Sequence, residues 1–70
     1  MNYKDMEIND LMKLSHYYNE ESGRQLNIAI NAKEYTYKVR VQARDKYREL
    51  TREYDKIMDY FKELAKEEAR

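Results

Sequence analysis

The chain has no cysteine, no proline and no tryptophan, and a single glycine in 70 residues. Without cysteine there is neither a disulfide framework nor a thiolate metal site, and one histidine cannot hold a zinc ion without carboxylate partners. Without proline, and with Gly23 as the sole glycine, the sequence lacks the punctuation that marks linkers. No internal repeat is visible, so one small domain over residues 1–70 is expected. No apolar run approaches the roughly 18 residues that a membrane crossing needs, and the segment from Met1 to Asp10 is too polar for a secretory signal. A cytoplasmic location is the default expectation. Charge of one sign is also missing: fourteen Lys and Arg balance fourteen Asp and Glu, which removes any global field for steering nucleic acid or an anionic membrane. The balance is uneven locally, with 6 basic against 2 acidic residues in 38–52 and 2 against 5 in 1–22.

A chain this short buries only about 60% of its unfolded surface, so a lone protomer is marginal and a second copy or another partner is the remaining support. Residues Ile8, Leu11, Leu14, Ser15 and Tyr18 recur at helical spacing, and Gly23 after Asn19-Glu20-Glu21-Ser22 suits a left-handed helix end. A first helix over about 6–22 is expected. From Leu26 the beat changes to two: Leu26, Ile28, Ile30, then Tyr35, Tyr37, Val39 and Val41 alternate with more polar residues, as in strands with one face buried. Strands at about 25–31 and 35–42 follow, joined through Asn31-Ala32-Lys33-Glu34. A helical wheel over 24–42 gives no single buried stripe, which favours the strands. From about Ala43 the pattern is helical again, with Tyr47, Leu50, Tyr54, Ile57, Phe61 and Leu64 stepping by three and four to about residue 68. The expected fold is therefore α+β, a helix, a β-hairpin and a long helix, with the hairpin's apolar face under both helices. The alternative is an all-α antiparallel helical hairpin, in which Ile28, Ala32, Tyr35, Val39 and Ala43 join the second helix as a broken heptad seam.

No catalytic constellation is visible. His16 has Glu20 at i+4 but no nucleophile or metal set beside it, and reads as a surface or edge histidine. The pairs Asp45/Glu49 and Asp55/Asp59 read as solvated helix faces, with no EF-hand or histidine-containing pattern to make them metal ligands. No enzyme activity, cofactor or metal is expected.

The strongest functional pattern is Arg44, Arg48 and Arg52 at i, i+4, i+8, next to Lys38 and Arg40. Such a line can track phosphates, although Asp45 and Glu49 are placed to neutralise it through the i,i+3 pairs Asp45–Arg48 and Glu49–Arg52. Eight tyrosines are many for this length. Tyr18, Tyr35, Tyr37, Tyr47 and Tyr54 are expected in the core, and Tyr3, Tyr17 and Tyr60 off it, with Tyr60 the favoured partner-facing aromatic. The function this supports is a small non-enzymatic interaction protein, a regulator or inhibitor of the kind found in phages and mobile elements. It would bind a larger protein through the C-terminal helix and hairpin, with Lys38, Arg40, Arg44, Arg48, Arg52 and Tyr60 as partner-binding residues. A nucleic-acid-binding module built on 38–52, and a homodimer or larger structural oligomer through the C-terminal helix, are the alternatives.

Overall fold

The stretch read as a β-hairpin is helical on either side of a short turn. The computed structural model describes residues 3–69. An N-terminal 3₁₀ turn, Tyr3–Asp5, precedes two α-helices: α1, Ile8–Ile30, of 23 residues, and α2, Tyr37–Glu68, of 32 residues. The helices fold back on one another as an antiparallel hairpin measuring 52 × 18 × 16 Å. No strand forms among the described residues, so the α+β expectation, with strands at 25–31 and 35–42, is overturned, and the helical-hairpin alternative fits.

Two polar residues make the turn that glycine or proline would otherwise make. The Asn31 backbone N–H donates to the Ile28 carbonyl at 3.2 Å, and the Asn31 side-chain oxygen accepts from the Glu34 N–H at 3.2 Å. The Tyr35 N–H then donates to the Asn31 carbonyl at 3.3 Å. Thr36 starts α2 in extended geometry, its hydroxyl accepting from the Val39 N–H at 3.3 Å and its carbonyl from the Arg40 N–H at 3.0 Å. These bonds satisfy backbone groups that the two helix ends leave unpaired. Gly23, expected to end the first helix, lies inside α1, and a Cβ placed there would meet nothing within 4 Å.

The helices meet along heptad-spaced seams. Leu11, Leu14, Tyr18, Glu21, Gln25 and Ile28 on α1 and Arg40, Ala43, Tyr47, Leu50, Tyr54, Ile57, Phe61 and Leu64 on α2 are all buried or half-buried, in steps of three and four. Full withdrawal from solvent is confined to a few of them: Leu11 and Ile57 are 0% exposed and Ala43 3%. Ser15 is buried beside this seam and returns its hydroxyl to the Met12 carbonyl at 2.8 Å. Tyr18, Tyr47 and Tyr54 are half-buried, but Tyr35 and Tyr37, also expected in the core, flank the turn and stay in solvent, Tyr37 at 73%.

The result is an open structure. Its accessible surface is 5822 Å² for 8.7 kDa, against roughly 4,700 Å² for a compact monomer of that mass. Its radius of gyration is 15.2 Å, against about 11 Å for a globule of this length. Since the turn is held by side-chain caps, Thr36→Ala is expected to cost about 1 kcal/mol in denaturant unfolding. A cost near zero would show that the Thr36 hydroxyl does not hold the start of α2.

Candidate functional site

The sequence-predicted partner residues do not form one patch. Lys38, Arg44, Arg48 and Arg52 are exposed along the N-terminal half of α2, and Arg40 sits half-buried at a seam position. The Arg40 guanidinium lies 5.9 Å from the centre of the Tyr37 ring, and its Nε is buried with no hydrogen-bond acceptor among the described residues. The neutralising pairs expected for Arg48 and Arg52 do not form; Arg44 lies 3.7 Å from Asp45 instead. Tyr60 is on another flank of α2, half-buried and tilted against Phe61 at 6.5 Å between ring centres. His16 is exposed and contacts Glu20 at 2.9 Å. Among the described residues no three His, Cys, Asp or Glu side chains are grouped to hold a metal ion, and no helix is long and apolar enough to cross a membrane.

One flank of the hairpin is closed by the N-terminal 3₁₀ turn, which packs on α2. The Tyr3 hydroxyl donates to the Glu53 carboxylate, and Lys56 Nζ donates to the same carboxylate at 3.0 Å. Tyr3, Lys4, Glu53, Lys56 and Tyr60 line a shallow polar groove there. Partial burial, with Glu53 and the neighbouring Tyr18 hydroxyl, pushes the Tyr3 phenol well above its ordinary range. The hydrogen bond from Tyr3, aided by Lys56, holds Glu53 below the usual carboxylate range.

The opposite flank is open. Near the termini it carries a groove of mixed character, where Met12, Tyr54, Met58 and Phe61 meet Ser15, His16 and Asn19. Near the turn a more apolar groove is lined by Leu26, Ala29, Ile30, Tyr37 and Val41, with Arg40 and Arg44 at its side. Ile8, Met12, Leu26, Ile30 and Tyr37 are large apolar or aromatic residues exposed along this flank, Ile30 to 70%. At about 100° per residue, Ile8, Met12, Asn19, Leu26 and Ile30 fall within roughly 40° of one another on α1. All five charged residues of α1, Asp10, Lys13, Glu20, Glu21 and Arg24, fall elsewhere. Sequence reasoning missed this face because Gly23 was read as a helix end, which cut the stripe in two. Its signal was the charge-free spacing of Ile8, Met12, Leu26 and Ile30. No known protein family, curated protein or solved structure matches the chain.

The clasp between Tyr3 and Glu53 has a defined pH window. Glu53, with its lowered pKa, contributes stability above the ordinary carboxylate value of about 4.3, lost as pH falls through the lowered folded-state value. Tyr3, with its raised pKa, contributes below about 10, lost as pH rises through the raised value. Tyr3→Phe is expected to lower stability by about 1 kcal/mol or less at neutral pH, since the pair is partly solvated, and to flatten the acid limb of the stability–pH curve. An unchanged acid limb in Tyr3→Phe would disprove the coupling.

Proposed function

We propose that this chain is a non-enzymatic interaction protein that binds another protein through the open flank of its helical hairpin. The observation that carries this reading is the exposure of Ile8, Met12, Leu26, Ile30 and Tyr37 on one side of a molecule with roughly 1,100 Å² more surface than a compact monomer of its mass. Five large apolar or aromatic side chains exposed on one flank of so small a chain favour an interaction surface. The face draws on α1 as much as on α2, which shifts the binding surface away from the C-terminal helix alone. In a tagged pull-down, Met12→Asp/Leu26→Asp is expected to lose a specific bound protein at least tenfold with the far-UV CD spectrum unchanged. Full retention by the doubly substituted chain would refute the reading.

A second reading, contact with a nucleic-acid backbone, is favoured by one observation: Arg48 and Arg52 are exposed and have no ion-pair partner among the described residues. It requires duplex or single-strand affinity that falls with salt, and a shallower salt slope in Arg48→Glu/Arg52→Glu. Absence of binding at low salt removes it.

A further inference from the structure

The open face is laid out symmetrically about Asn19. Ile8 and Ile30 each stand eleven residues from it, and Met12 and Leu26 seven. Large apolar side chains occupy both ends of the stripe, and the exposed Asn19 and Gly23 the middle. A two-fold interface requires a patch complementary to itself, since each contact from one copy to the other is repeated in reverse. Resting on the reading that the open flank binds protein, we propose that its occupant is a second copy of this chain, with α1 antiparallel to α1 of the partner and the two-fold axis at Asn19, forming a four-helix bundle.

In this arrangement Ile8 faces Ile30 of the partner subunit, and Met12 faces Leu26 of the partner subunit. The same rotation lays the groove at the termini, with Met12, Tyr54, Met58 and Phe61, on the groove at the turn, with Leu26, Ile30, Tyr37 and Val41. On α2, Arg48 and Asp55 lie one heptad apart, so the reversed helix sets each arginine beside an aspartate. Charge complementarity thus accompanies apolar complementarity. Gly23 fits the same geometry. Glycine inside a helix costs roughly 1 kcal/mol relative to alanine, and a Cβ added at Gly23 would meet nothing within 4 Å, so nothing in the protomer requires a glycine there. The open space beside it lies on the face that the second copy would cover.

The absence of native cysteine makes the test direct. Under mild oxidation Asn19→Cys is expected to cross-link to itself, and an equimolar mixture of Ile8→Cys and Ile30→Cys to yield the mixed cross-linked dimer, with Ile8→Cys alone and the off-face control Tyr17→Cys forming no disulfide. Sedimentation equilibrium of the unmodified chain at micromolar concentration is expected to give twice the 8.7 kDa protomer mass. Gly23→Glu, which has room in the protomer and improves helix propensity, is expected to weaken association at least tenfold while CD shows the helices intact. A monomeric unmodified chain would overturn the dimer and leave the broader protein-binding reading standing. A dimer that persists in Gly23→Glu and cross-links through Tyr17→Cys would overturn both, because association would then use another face.

Discussion

Two helices can cover only the stripe along which they touch, and the character of this protein follows from how little that stripe conceals. Leu11 and Ile57 are fully withdrawn, Ala43 nearly so, and most other seam residues are half in solvent. At about 25 cal/mol per Å² of apolar surface removed from water, so narrow a contact offers limited compensation for ordering two long helices. The middle of the seam on α1 is polar as well, with Glu21 and Gln25 bonded to one another at 3.1 Å where an apolar pair would pack. The hairpin is therefore built with a deficit on one flank, while the other is covered by the N-terminal 3₁₀ turn through Tyr3 and Glu53.

That asymmetry organises the functional reading. The flank that the 3₁₀ turn covers carries a groove lined by charged side chains with Tyr3 and Tyr60. The open flank carries exposed aliphatic residues and no charge from α1. The arginines sought as a binding line lie on the outward edge of α2, where Arg44 is drawn to Asp45 and Arg48 stands a heptad from Asp55. They are better placed to align a partner than to anchor it, because exposed charges steer and orient while desolvated apolar groups hold.

Much of this was legible in the sequence. Tyr47, Leu50, Tyr54, Ile57, Phe61 and Leu64 announce the α2 seam, and Leu11, Leu14, Ser15 and Tyr18 the beginning of α1. Residues 25–42 misled for a physical reason: a helix with one buried stripe shows one apolar face, whereas this segment serves two. Leu26, Ile30 and Tyr37 belong to the open flank, and Ile28 and Ala43 to the seam. Superposed, the two stripes imitate a period of two. The failure of the single-stripe test was itself the signature of a second surface. The turn was obscured by its chemistry, since Asn31 and Thr36 close it through side-chain and main-chain hydrogen bonds without glycine or proline.

The shortness of that turn also bears on how the chain reaches its fold. Only a few residues between Ile30 and Tyr37 must be closed before the two helices can touch, and each further seam contact adds one turn of helix outward from there. Such a topology has low contact order, the regime in which helical proteins fold in microseconds to milliseconds. The same path leaves the contact between Tyr3 and Glu53, fifty residues apart in sequence, among the pairings with a long loop to close.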